Sequence, residues 1–509
     1  MSESMSVCCR AEAHSHLALH TCTRVDVIHA MSSDFLLAAQ APVLFVLHAL
    51  FSTFAPDAYM DEPFHVNQTQ KYCAGQLHEW DPKITTFPGL YVFAALPSWI
   101  GAAVGLSGAP AWCTLSYLRG LNLLPALATP YLLLLLIRRL HPNTSPSDAL
   151  ANAVLLSLAP THFFYHFLYY TDSLATVSAL ALLAIVLPAR AERPSPRARL
   201  AARAPPPRAP PSARTTLGAG VAGAACLSLR QTNAVWIAFA LGCDLLEELD
   251  HSNALPASLP PAAALAALPA ALAERGFAPL RATLRRQWPL AVLLVAFAAF
   301  VVANGAVVVG DRANHAPAPH LAQLLYLTAY AGAPFDPHAL TVGLRGTLRG
   351  VAAAAIAAPA TAAVALAAAL GAAHWTYCHP FLLADNRHLT FYVWRHVLGR
   401  HWAVRYALAP AYAFLGALLY PPIVRQFGAP RTLGLVACAA LALVPSPLLE
   451  LRYLTIPALL LRLHAPPLAG AARWGLAIAA FALVDAALVA VFLWRPYTWA
   501  DGSVARFML

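Results

Sequence analysis

Phe35–Ala55 reads FLLAAQAPVLFVLHALFSTFA, a run without one Asp, Glu, Lys or Arg. As a helix rising 1.5 Å per residue it spans the ~30 Å hydrocarbon core of a bilayer. Directly after it comes Ala58–Val66, AYMDEPFHV, with two adjacent acids, Asp61 and Glu62. The chain has 509 residues, of which 59% are hydrophobic and 11% charged, and its mean hydropathy is +0.60. A soluble domain carries about 25% charged residues. Similar apolar runs recur and are continuous rather than alternating, which excludes a membrane β-barrel. The expected fold is an all-α polytopic membrane protein with roughly 11–14 segments, half-helices included.

The first 34 residues are polar and His-rich, without the short apolar core and small-residue cleavage site of a signal peptide. They read as a disordered cytosolic extension, and Met31 is an alternative start. Residues 35–509 read as a single multi-spanning domain. The net charge of +10 comes almost wholly from arginines in loops, where they orient the chain, so no nucleic-acid partner is expected. The nine cysteines (Cys8, Cys9, Cys22, Cys73, Cys113, Cys226, Cys243, Cys378, Cys438) contain no CxxC spacing and suggest neither a zinc site nor a disulfide framework.

Arginine fixes sidedness. The stretch 189–214 is rich in Ala and Pro and holds seven arginines (Arg190, Arg193, Arg197, Arg199, Arg203, Arg208, Arg214), so it reads as a disordered cytosolic loop. Residues 249–287, with Arg275, Arg281, Arg285 and Arg286, read as a second such loop. The segment 215–247 between them then forms a broken hairpin that dips in and returns at the polar tetrad Arg230-Gln-Thr-Asn233. The alternative is one helix with a satisfied polar face. Runs 116–137, 149–168, 173–188, 288–309, 320–337, 350–373, 405–422, 432–448 and 474–494 supply further crossings. Residues 89–112 read as re-entrant or interfacial, and 389–403, with Trp394 and Trp402, as an interfacial helix. The loop 56–88 lies on the lumenal side. The sequon at Asn67 is then lumenal and that at Asn143 cytosolic.

With this sidedness, charges at the ends of apolar runs gather on one face: Asp61, Glu62, Asp172, Arg230, Asp311, Arg312, His379, Asp385, Arg387, His388, Glu450 and Arg452. Charge near hydrocarbon costs several kcal/mol unless it is paired or serves a wet cavity. Each has a structural alternative. Asp61 and Glu62 can be solvated loop acids, Asp172 a helix cap, Asp311–Arg312 and Glu450–Arg452 ion pairs, and His379 and His388 interfacial side chains. No ligand spacing supports a metal site from Asp61, Asp311 and His388. A carboxylate in partly apolar surroundings can act as a general base, and Arg binds phosphate through two donors. Together they suit transfer of a group from a lipid phosphate to a polar acceptor.

Several blocks resemble the endoplasmic-reticulum dolichyl-phosphate-glucose-dependent α-1,2-glucosyltransferase family. They are YMDEPFHVNQTQKYCAGQLHEWDPKITTFPGLY at 59–91, FLYYTDS at 167–173, LRQTNAVW at 229–236, NGAVVVGDRANH at 304–315, HPFLLADNRHLTFYVWR at 379–395, LLELRYLTIP at 448–457 and RFM at 506–508. Asp172, where Glu is the family's residue, and Leu509 depart from the pattern, and 189–214 and 251–287 look like filler. The resemblance implies a GT-C type bundle in the endoplasmic-reticulum membrane, cytosolic at its N-terminus, with a lumenal active site. It implies inverting transfer of glucose from dolichyl-phosphate glucose to the diglucosylated lipid-linked oligosaccharide, with dolichol-linked lipids as partners. No cofactor and no metal are expected. It makes Asp61 the base, with Glu62 in reserve. Arg230, Arg387 and His388 would neutralise the leaving phosphate, with Arg312 and Arg452 as further cations. His379 and Asp385 join the substrate-binding set, and Tyr91, Trp80 and His65 would hold sugars. The alternatives are a dolichyl-phosphate-mannose-dependent mannosyltransferase and a transporter or channel-associated protein.

Overall fold

The computed structural model describes residues 39–106, 108–187, 211–252 and 254–509. The expected extension 1–34, the start of the first apolar run and most of 189–214 lie outside them. The described chain is built almost wholly of helices, with one short antiparallel pair, β1 (Tyr497–Thr498) and β2 (Val504–Ala505), near the C-terminus. It is an all-α polytopic membrane protein, as the composition implies.

Helix α1 (Gln40–Phe54) carries the first apolar run and stops before Pro56. The loop beyond it holds α2 (Glu62–Cys73) and leads into α3 (Gly89–Ala103). Then α4 (Leu115–Leu121) and α5 (Leu123–Leu140) form a 26-residue apolar rod ending in Arg138 and Arg139. The run 149–168, expected as one span, is divided into α6 (Pro146–Ser157), α7 (Pro160–Phe164) and a 3-10 turn at Tyr165–Phe167. Pro160 causes the break, because it lacks an amide donor and clashes with the preceding turn. Helix α8 (Asp172–Val186) follows.

The tetrad Arg230–Asn233 does break the next segment. Arg230 is extended, and Gln231–Asn233 is a 3-10 turn between α9 (Ala213–Leu229) and α10 (Ala234–His251). The bend is satisfied internally, as Asn233 donates to the Cys226 carbonyl and Gln231 to that of Thr85. The two legs have 17 and 18 residues, ~26 Å each. That is most of a crossing apiece and deeper than the dip expected.

Residues 249–287 are not an open loop either. They contain α11 (Pro261–Arg275) and α12 (Ala278–Arg286), because alanine is the best helix former. Arg286 ties α12 to α10 through Asp244 and Glu248, at 2.8 and 2.9 Å. Helix α12 turns by 96° into α13 (Trp288–Asn304). After α14 (Ala322–Gly332) and α15 (Pro337–Leu340), the expected span 350–373 is instead α16 (Leu344–Ala357) bent by 108° into α17 (Pro359–His374) at Pro359. Within 389–403, Leu389–Leu398 is one continuous helical segment, α19 (Leu389–Val393) running into a π-helical turn at Trp394–Leu398, as expected of a short helix there; α18 (Pro380–Ala384) precedes it and α20 (Val404–Ala407) follows. The chain ends through α21 (Ala409–Phe427), α22 (Ala429–Leu443), α23 (Leu451–His464) and α24 (Ala471–Trp494).

By length and apolarity, three described helices can cross a bilayer, or five if each bent pair is one span, and four shorter apolar helices accompany them. The roughly 11–14 segments expected from run length count pieces that proline and polar turns interrupt. The main core joins α5, α6, α8, α9, α10, α13, α14 and α21–α24. In a bilayer such helices associate by close packing rather than by hydrophobic drive. Gly223 illustrates this, since a Cβ there would stand 2.7 Å from Leu290 of α13.

One expectation about cysteine is overturned. Cys73, at the end of α2, and Cys113 form a disulfide across a separation of 40 residues. It clips α2 to the start of the α4–α5 rod. Loop-closure entropy gives such a link about 2–4 kcal/mol. Replacing both cysteines by serine is therefore expected to lower the apparent unfolding midpoint in detergent and to abolish the gel-mobility difference between reduced and unreduced protein.

Candidate active site

The loop after α1 is held by a buried ion pair. Glu62 and Arg119 are both fully buried. Glu62 accepts from Arg119 Nε at 2.8 Å and Nη2 at 2.6 Å, and from the backbone amides of Tyr59 and Tyr169 at 2.9 and 2.7 Å. Arg119 also donates to the carbonyls of Ala55 and Asp57. The intervening Met60 has φ 60°, a left-handed backbone that a non-glycine residue adopts only under constraint. With Glu62 drawn inward, its neighbour Asp61 faces the other way and lines a cavity of about 420 Å³.

This cavity gathers charge from three distant parts of the chain: Asp61, the cluster Asp385, Arg387 and His388, and the pair Glu450 and Arg452. Tyr165, Tyr170 and Trp499 add polar-tipped rings, and Phe64, Phe381, Leu382, Leu448 and Leu449 complete the wall. Arg452 Nη2 lies 3.0 Å from Asp61 Oδ2, and its Nε is paired with Glu450. Asp385 takes Arg387 by both oxygens, at 2.8 and 2.7 Å, and Arg387 also stacks on Trp499 at 4.6 Å. His388 Nε2 is 4.0 Å from Asp385. The Asp61 side chain is 42% exposed, so it is a wet group, and the Tyr170 hydroxyl accepts from its backbone amide at 3.0 Å.

Partial burial pushes the Asp61 carboxyl up, but Arg452, with His65 and His388, outweighs it and holds it below the ordinary value of 3.8. Asp385 is likewise pushed up by burial and brought down further by Arg387. His65 is held below its usual range, chiefly by burial. Both cavity aspartates are therefore carboxylates at neutral pH.

Of the residues singled out from sequence, the structure brings Asp61, Asp385, Arg387, His388 and Arg452 to one cavity. The others stand elsewhere. Glu62 does not fit its reserve role as base, because both of its oxygens are committed to the latch. His65 sits behind Asp61, with Nδ1 2.8 Å from the Tyr91 hydroxyl, and the Trp80 ring meets Tyr91 edge-on. These three back the loop and do not line the cavity. Arg230 is paired with Asp172 and stacks 5.2 Å over Tyr453, one layer behind Arg452. Asp172 is the first residue of α8 rather than its cap. Arg312 bonds to Asn304 on the exposed loop 304–315, whose Asp311 pairs with His315 instead. A Cβ on Gly310 would lie 2.2 Å from the Pro82 carbonyl, which docks that loop on the first one. His379 caps α18 by accepting from the Phe381 amide.

Sequence reasoning missed Arg119, Tyr165, Tyr170 and Trp499, and left Glu450 outside the site. Tyr170 and Glu450 stand within FLYYTDS and LLELRYLTIP, so block membership was a usable signal. Arg119, a lone charge inside the apolar run 116–137, also carried a signal, while Trp499 carried none.

Removing one partner of a fully buried pair leaves an uncompensated charge, at about 3–5 kcal/mol. Arg119→Met alone is expected to abolish folded yield in size-exclusion profiles. Adding Glu62→Gln should recover part of it, since the amide oxygen still accepts from Tyr59 and Tyr169.

Residues 55–463 match the model of the DIE2/ALG10 family. The rat Dol-P-Glc:Glc(2)Man(9)GlcNAc(2)-PP-Dol alpha-1,2-glucosyltransferase is 31% identical over 94% of this chain and 98% of its own length. The mouse enzyme of the same name is 30% identical with the same coverage, and the Drosophila melanogaster one 31% identical over 90% and 96%. No solved structure matches the chain. With the family model covering most of its length, the chain belongs to the DIE2/ALG10 family.

Proposed function

We propose that this protein is a dolichyl-phosphate-glucose-dependent α-1,2-glucosyltransferase that adds glucose to the diglucosylated dolichol-linked oligosaccharide. The observation that carries this reading is the convergence of Asp61, Asp385–Arg387–His388 and Glu450–Arg452 on one cavity, in a chain similar along nearly its whole length to enzymes of that name. The reaction is a single inverting displacement in a GT-C type bundle and draws on no metal or cofactor. It takes place at the lumenal face of the endoplasmic-reticulum membrane. The Cys73–Cys113 disulfide supports that side, because such links persist in oxidising compartments.

Asp61 orients the acceptor hydroxyl and takes its proton as charge develops on the sugar ring. With its pKa held low, it is a weak base in the free enzyme. The donor changes this. Arg452 is the strongest cationic influence on Asp61, and a lipid phosphate entering the cavity competes for the same guanidinium. As Arg452 turns to the phosphate, Asp61 loses that influence and burial raises it, so the base strengthens when the donor is seated. Arg387 and His388 then share the leaving charge. The prenyl chain leaves past Phe381 and Leu383, two apolar side chains exposed beside the cavity.

Microsomes lacking the endogenous enzyme, supplied with dolichyl-phosphate glucose and the diglucosylated acceptor, are expected to gain one hexose in glycan mass. Failure of folded protein to do so overturns the reading. Asp61→Asn should lose about 10²–10⁴-fold in turnover with little change in KM. In the free enzyme the Asp61 carboxyl titrates below the ordinary 3.8, so the acid limb of kcat/KM lies below that value. Arg452→Gln removes the main lowering influence, leaves the raising effect of burial, and should move that limb to higher pH.

A further inference from the structure

A second large cavity, of about 450 Å³, lies away from the reaction site. Helix α23 links the two. Arg452 in its first turn borders the reaction cavity, and Arg462 in its last turn borders the second one, ~15 Å further along the axis. Arg425, from the last turn of α21, and Arg473, from the first turn of α24, also line it. The one acid in its wall is Asp336, which pairs with Arg473 at 2.5 Å and accepts from the Ala339 amide at the start of α15. Among the described residues, neither Arg425 nor Arg462 has a hydrogen bond or an ion pair from its guanidinium, and Arg462 rests 5.5 Å over the ring of Phe335. Three guanidinium groups against one carboxylate leave a local balance of two positive charges.

Arginines that only orient a membrane protein sit in water at its rim. Arg462 does not. It is half-buried, over the ring of Phe335, which itself packs edge-on against Phe481 of α24, and apart from Thr347 the rest of the cavity wall is apolar, with Val351 and Ala354 of α16 and Leu415 and Leu418 of α21. None of the residues of α16 is buried, so this helix covers the cavity without being packed into the bundle. The site thus combines a fork of cationic donors with a hydrocarbon-lined wall. We propose that it binds the phosphomonoester headgroup of an anionic lipid, with the lipid chain along α16 and α21. Guanidinium groups take phosphate oxygens in pairs, and a phosphomonoester dianion matches the charge left over. A free phosphate has the same headgroup chemistry but makes no use of the apolar wall.

The test titrates dioleoyl phosphatidic acid, dioleoyl phosphatidylcholine or inorganic phosphate into the full-length protein in detergent and follows the apparent unfolding midpoint. Phosphatidic acid is expected to raise the midpoint by ~2 °C or more, as a ligand of the native state does, and phosphatidylcholine to leave it unchanged. Arg462→Gln should at least halve that shift. Should this variant not fold, Arg425→Gln, at an exposed position, carries the same expectation. An equal response to phosphatidylcholine overturns the proposal, as does an undiminished response in the folded variants. An equal response to inorganic phosphate overturns the lipid assignment.

Discussion

A fully buried carboxylate and a fully buried guanidinium, Glu62 and Arg119, can persist inside a membrane protein only as partners. Much of the candidate site depends on that constraint. The pair draws the chain after α1 inward, forces Met60 into a left-handed backbone and turns Asp61 outward into the cavity. Because Glu62 also takes the Tyr169 amide, the same pair fixes the loop before α8 and brings Tyr170 against the Asp61 backbone. One carboxylate positions and the next is left for chemistry. Sequence adjacency alone gives no way to tell which is which.

The cavity is also nearly self-neutralised. Asp61, Asp385 and Glu450 face Arg387 and Arg452, with His388 beside them. Each arginine already holds an acid, so an incoming phosphate has to share or displace one. This suits a site meant for a charged lipid headgroup. Unpaired arginines in such a place would be costly when empty and would bind the product too well to release it. The layer behind, with Arg230 on Asp172 and His65 on Tyr91, holds the front layer in place without reaching the cavity. The opposite end of α23 is arranged differently, with more guanidinium groups than acids, and that contrast makes Arg462 informative.

Proline and polar turns do much of the architectural work. Pro160 and the Arg230–Asn233 tetrad interrupt helices at the level where polar side chains are needed, and Pro359 bends α16 away from α17. A break leaves unpaired backbone groups, which can be tolerated only where protein or a cavity satisfies them. At the tetrad that satisfaction comes from the carbonyls of Thr85 and Cys226.

The sequence by itself determined the class of fold, because a chain this poor in charge and this rich in long apolar runs has no other stable arrangement. It also marked the blocks that matter and placed Asp61, Arg387, His388 and Arg452 among the candidates, since charge beside hydrocarbon needs a reason. It read the break at Arg230–Asn233 from the arginine loops on either side and the polar tetrad between them. Tertiary structure decided the rest. Only packing could separate Glu62 from Asp61, place Arg230 one layer behind the cavity, leave Arg312 on an exposed loop and join Cys73 to Cys113. Each of these outcomes rests on contacts between residues far apart in the chain, and local pattern carries no record of which distant group a side chain will meet.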